Sequence, residues 1–176
     1  MLVSKSERRI PGICYVFEMT DEQWYSGMEL KLRGARRLTV RAWDALKTSR
    51  GSVVFMSGSA ALDPKPGCAA VAATNAAILA LAKALAEQGI KDGVQVNSII
   101  PGAVMTGRRR SFLEKWAPAH HMGVEEATRK FPEGAGISRY GEPEEIAALL
   151  AFMVSPEAKW MTGTSVRMEG GEVTGL

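Results

Sequence analysis

Two short β-branched runs, Val53–Met56 and Val94–Ile99, flank a long stretch of small and apolar residues, Gly67–Ala86, and no other feature restricts the fold as much. Each run is bounded by glycine or proline and reads as a buried parallel strand. The stretch between them predicts a helix over Ala69–Gln88, with Gly89 at its C-cap. Strand, helix and strand in that order imply parallel neighbours joined by a crossover helix. The alternation continues on both sides. Asp21–Leu46 predicts a helix capped by Thr20 or Asp21. Pro143, followed by Glu144 and Glu145, places the right charge at the start of a helix over Glu144–Val154, and Thr164–Met168 predicts the last strand. The expected class is α/β, a parallel sheet covered by helices.

Composition adds limits. With 176 residues, 46% hydrophobic and 23% charged, the chain fits a single soluble domain over 1–176. Thr74 and Asn75 interrupt the longest apolar stretch, so no segment is expected to supply the roughly 18 apolar residues of a membrane span. Met1–Arg9 is not followed by an apolar core of the secretory kind. Cys14 and Cys68 lie far apart without metal-ligand spacing, so neither a disulfide framework, nor a zinc site, nor any other metal is expected, and a reducing cytoplasm is the default location. Adjacent His120 and His121 cannot share a helix face and are given no role. Arg33, Arg36, Arg37 and Arg41, with Arg108–Arg110, form two basic clusters. Without interleaved aromatics, and with a net charge of only +3, they read as solvated helix arginines rather than a nucleic-acid surface.

Motifs along the chain carry a resemblance. LVSKS (Leu2–Ser6), MTDEQWYSGMELKLRG (Met19–Gly34), GSVVFMSGSA (Gly51–Ala60), VQVNSIIPGAVMT (Val94–Thr106) and the segment Arg139–Gly171 follow one another in the order of landmarks of the short-chain dehydrogenase/reductases. The resemblance implies the C-terminal half of a Rossmann-like, doubly wound parallel sheet. It also implies that a strand, a glycine-rich turn and further strand and helix units are missing before Met1. At about 30 residues per βαβ unit, that amounts to on the order of 75 residues. Such a turn brings backbone N–H groups to the cofactor pyrophosphate, so a truncated domain lacking the nucleotide-binding half is expected.

The reactive positions are also altered. In the family this resembles, a tyrosine gives its proton to a carbonyl and a lysine one turn later lowers the tyrosine pKa; those positions carry Val71 and Asn75. The family's serine falls on Gly58, with Ser57 and Ser59 beside it as possible substitutes, and its helix-bending asparagine falls on Lys31. Lys31 reads as a solvated helix lysine, with a base or Schiff-base amine as the alternative. By resemblance, Pro101, Gly102 and Thr106 line the nicotinamide and diphosphate end of a cofactor cleft; otherwise they simply turn the chain. Between Gly107 and Ser138 lies the polar segment that closes over substrate in the family.

The functional expectation is a catalytically impaired pseudoenzyme or partner subunit. It would form a homo-oligomer, or a hetero-oligomer with a related subunit, through the helices Asp21–Leu46 and Ala69–Gln88, with Ala72, Ala76, Ile78, Leu79, Ala82 and Leu85 available for packing. No cofactor is expected unless a partner completes the site, which would then take NAD or NADP. The alternatives are an NAD(P)-dependent oxidoreductase completed by another chain, a longer product in which Met1 is not the start, and a non-redox enzyme using Lys31 with Ser57 or Ser59.

Overall fold

The computed structural model describes residues 15–175. The LVSKS segment and Cys14 lie outside the described residues. Helix α1 (Asp21–Met28) starts in a reciprocal capping box: Thr20 Oγ1 accepts from the Gln23 N–H, and the Gln23 side chain accepts from the Thr20 N–H. The single helix expected over Asp21–Leu46 is instead interrupted by a π turn at Glu29–Arg33, after which α2 (Gly34–Ser49) continues. Strand β1 (Ser52–Met56) follows, then α3 (Ala69–Asp92), β2 (Gln95–Pro101), α4 (Gly107–Ala119), α5 (Val124–Gly134), α6 (Pro143–Val154) and β3 (Ser165–Met168).

The sheet order is β1-β2-β3, with both pairs parallel. One principal core lies where α2 and α3 meet the sheet: Phe55, Ile78, Ala82, Ala86, Val94 and Val96 are buried together, with Leu32, Trp43 and Leu46 packed against them. The β2 residues from Gln95 to Ile100 are all buried, as expected of the middle strand of a parallel sheet. Two polar side chains inside that strand dock the loop before β3. Asn97 donates to the Met161 carbonyl and accepts from the Thr164 N–H, while Gln95 Nε2 donates to the carbonyls of Ala158 and Met161.

Two expectations are corrected. Helix α3 does not stop at Gly89 but runs to Asp92, where Gly93 adopts a positive φ of 73° and supplies the left-handed cap. Gly89 is buried inside the helix because the returning chain passes over it: a Cβ there would lie 2.3 Å from the Val94 carbonyl oxygen. The polar segment between Gly107 and Ser138 folds as α4 and α5 around Leu113, Ala117, Ala127 and Tyr140. Finally, Pro66–Asp92 is, by length and composition alone, apolar enough to cross a bilayer, since its alanines and leucines outweigh Thr74 and Asn75. Its Ile78, Ala82 and Ala86 pack on the sheet.

Candidate functional site

The site forms where β1 ends, the π turn bends its helix and α3 begins. Ser57 follows β1, held by its N–H on the Ile99 carbonyl, and its buried hydroxyl donates to the Asn75 carbonyl at 2.9 Å. This bond ties the strand end to the second turn of α3 and occupies the Ser57 hydroxyl structurally. Ser59 opens the short 3-10 turn Ser59–Ala61. Gly58 lies between them against the Asn75 side chain, and a Cβ there would sit 2.9 Å from Asn75 Nδ2 and 3.9 Å from the Pro101 carbonyl oxygen. The residue at 58 is small because the amide at 75 fills its side-chain space.

Asn75 is buried and Val71, one turn earlier, is 49% exposed. Lys31 reaches Asn75 from the π turn: its Nζ donates to Asn75 Oδ1 at 2.5 Å and to the Ser57 carbonyl at 3.2 Å. The expectation of a solvated lysine is therefore corrected. The extra residue of the π turn redirects the backbone locally, and the long stem carries Nζ across to α3. Burial, and secondarily the charge of Arg108, pull the Lys31 pKa below its ordinary value. The two residue types that the resemblance assigns to positions 31 and 75, asparagine and lysine, are thus exchanged, and an amine still reaches the site from the opposite wall.

Pro101, Gly102 and Thr106 serve the fold in visible ways. Pro101 closes β2. Gly102 lets the C-terminal segment approach, because a Cβ there would lie 2.7 Å from both Glu169 Cβ and Glu172 Oε2. Thr106 caps α4 by accepting from the Arg109 N–H at 3.2 Å. The first turn of α4 carries Arg108 and Arg109 and no acid. Arg109 packs over the rings of Phe112 and Phe131, with its guanidinium carbon 5.3 and 4.9 Å from their centroids. In the other basic cluster Arg33 and Arg37 both pair with Glu29.

Sequence reasoning missed the influence of the Arg108 charge on Lys31, and no local signal marks it, since the two positions are 77 residues apart in sequence. A concavity of about 410 Å³ lies on the β3 side of Gly102, lined by residues such as Ala103, Tyr140, Gly141 and Met168. It includes none of Lys31, Ser57, Val71 or Asn75. Among the described residues, no group of three or more His, Cys, Asp or Glu side chains is placed to hold a metal, and Cys68 is a free thiol.

A parallel β-α-β sheet with a cleft at its strand ends defines a Rossmann-like α/β protein. Comparison with known proteins narrows the class. Residues 12–172 match the family model described as enoyl-(acyl carrier protein) reductase. The oxidoreductase YvaG of Bacillus subtilis is 30% identical over 162 residues, covering 89% of this chain and 61% of that protein. The acetoacetyl-CoA reductase of Shinella zoogloeoides is 32% identical over 156 residues, covering 88% and 61%. The chain belongs to the short-chain dehydrogenase/reductase family, and it spans about three fifths of the length of these curated relatives.

Among solved structures, the L-sorbose reductase of Gluconobacter frateurii, complexed with NADPH and L-sorbose, shares the fold. Its TM-score is 0.87 at 23% identity, over 96% of this chain and 66% of that one. An NADPH-bound short-chain oxidoreductase of Pseudomonas aeruginosa PAO1, described as containing an atypical catalytic center, is 27% identical with a TM-score of 0.79, over 90% and 60%. Nicotinamide cofactors are thus held by structural neighbours, and the expectation that no cofactor is bound finds no support in them.

Proposed function

We propose that this chain is a short-chain dehydrogenase/reductase subunit whose carbonyl-reducing apparatus is disabled at the proton donor and which acts by association with another copy or a related subunit. The observation that carries the reading is the pair Val71 and Asn75. An isopropyl side chain has no proton to give where the family resemblance expects a phenol, and the amide below it brings no charge. Loss of a positioned general acid costs about 10²–10⁴ in rate. Lys31 leaves an amine nearby but no tyrosine for it to act on.

Association is favoured by exposed apolar side chains on the helices named above: Leu30 is 83% and Leu38 72% exposed, and most of α3 is not buried within the described residues. Of the helix residues expected to pack between subunits, Ala72, Ile78 and Ala82 are consumed by the core, which leaves Ala76 exposed and Leu79 and Leu85 half-buried.

A second reading, an oxidoreductase whose nicotinamide site another chain completes, draws support from the NADPH complexes of the neighbours. One experiment tests the first reading against the second in the case where the completing chain is another copy. The purified chain is mixed with NADPH or NADH and a panel of small ketones and oxo esters, its mass in solution is measured, and cofactor oxidation is followed. A dimer or larger assembly without turnover supports the first reading. Saturable turnover refutes it and favours the second.

A further inference from the structure

We propose that residues 169–175 form a strap over the carboxyl end of β2, latched shut by the side chain of Arg167 and able to lift while the sheet beneath stays folded.

The closed position is set at Gly102. After β3 the chain turns back at Gly170 and Gly171, whose φ angles of 68° and 88° lie in the left-handed region that suits glycine. The return carries the strap across Gly102, the residue after β2: a Cβ there would lie 2.7 Å from both Glu169 Cβ and Glu172 Oε2. Open α/β sheets take their ligands at the carboxyl ends of the strands, so the strap lies over the end of the sheet where ligands enter.

Little besides Arg167 holds it there. Among the described residues, no main-chain hydrogen bond joins 170–175 to the sheet or to a helix; the Glu172 N–H donates to the Glu169 carbonyl, within the strap itself. Val173 is buried, whereas Gly170, Gly171, Thr174 and Gly175 are exposed. From β3, Arg167 Nη2 donates to the Val173 carbonyl at 2.5 Å and Nη1 to the Gly175 carbonyl at 2.6 Å. Its Nε and Nη2 also donate to Glu169 Oε1 at 3.0 and 2.8 Å, and Glu169 Oε2 accepts from the Val173 N–H at 3.1 Å. Charge-assisted bonds of this kind are strong, and here they converge on one guanidinium. A segment with one buried apolar side chain and one latch opens at a lower free energy than the strands it covers.

The place of the strap gives its opening a consequence. Gly102, Met168, Glu169 and Gly170 line the concavity of about 410 Å³. Val173, Thr174 and Gly175 line a second one of about 570 Å³, together with Leu62, Leu79 and Ile100. Arg167 lines both, so the latch and its strap are the wall between them. With the strap lifted, the two join into one groove along the ends of β2 and β3. Leu79 stands one helical turn beyond Asn75 on α3, which brings the groove up to the candidate site. The strap is independent of either reading of the function, since it governs access to the strand ends and asks nothing of the chemistry performed there.

Native-state hydrogen exchange on the full chain, read by NMR and corrected for intrinsic rates, is the test. It compares the Val173 amide with the amide of Ser98, which donates to the Thr164 carbonyl from within buried β2. In urea below the unfolding transition, Val173 should exchange at least about tenfold faster than Ser98, at a rate urea leaves unchanged, while exchange at Ser98 rises. Equal rates rising in parallel would mean that the strap opens only when the domain unfolds, and would overturn the proposal. Arg167→Gln, a change at an exposed position of an edge strand, should speed Val173 about tenfold further and leave Ser98 as it was. Equal acceleration at both amides, or none at Val173, overturns the assignment of the latch.

Discussion

Gly89→Ala and Gly27→Ala make the same chemical change inside two helices and should move stability in opposite directions. Replacing a helical glycine by alanine ordinarily stabilises by about 1 kcal/mol through backbone entropy. Gly27 in α1 is exposed with nothing within 4 Å of the added methyl, so that gain should appear undiminished. At Gly89 the methyl would lie 2.3 Å from the Val94 carbonyl oxygen and 3.3 Å from its carbonyl carbon, both main-chain atoms. Val94 is itself tied to Gly89 by its N–H at 2.9 Å and leads directly into buried β2, so neither side can yield by a rotamer change. Overpacking against such a neighbour costs about 3 kcal/mol, the upper end of the usual range. After the entropic gain the net loss is about 2 kcal/mol. With a urea m-value of about 2 kcal/mol/M, the midpoint should fall by about 1 M. Equilibrium urea unfolding of the parent and both variants, followed by circular dichroism, reads the difference. A Gly89→Ala midpoint equal to or above that of Gly27→Ala would refute the packing argument.

Gly58→Ala should push the Asn75 amide aside and loosen its bond to Lys31, lowering stability by about 1–2 kcal/mol; an unchanged thermal midpoint would mean that Asn75 has room to spare. Asn97→Ala removes both bonds that dock the loop before β3 and should cost about 3 kcal/mol, with faster hydrogen exchange at the Thr164 amide as its specific signature. For Glu145, the Arg139 guanidinium first and the Glu142 N–H second hold the carboxyl at a pKa of about 2. A depressed carboxylate contributes stability above its ordinary pKa and loses it as pH falls through the folded value. Carboxyl-carbon NMR should therefore show Glu145 titrating near pH 2, and Arg139→Gln should shift that titration upward.

The elements whose signals are local were legible in the sequence. The Thr20 cap, the run Ser52–Met56, the strand through Asn97 and Ile99, and Pro143 at the start of α6 each carry their own chemistry, and the observed bounds differ by a residue or two. The end of α3 was not legible, because two glycines four residues apart each offer a stop and only the path of the returning strand decides which is used. Helices α4 and α5 hid behind prolines at 118 and 132, which read as helix breakers and in the fold stand in the last turns of their helices. The identities of the site residues were readable, but their arrangement was not. Lys31 and Asn75 are 44 positions apart, and a lysine on a charged helix carries no mark of where its tip will lie.

The π turn at Glu29–Arg33 sets the rotational phase of everything after it. It holds one residue more than a regular helix would over the same rise, so α2 is turned by about 100° relative to a continuation of α1. The stripe that puts Leu32, Ala35, Trp43 and Leu46 on the core is thus in step only because that residue is present. A single deletion anywhere in the turn would let the helix run regular and swing the stripe off the sheet, and Lys31 with it. A single substitution would leave the phase intact. The segment tolerates change in chemistry far better than change in length.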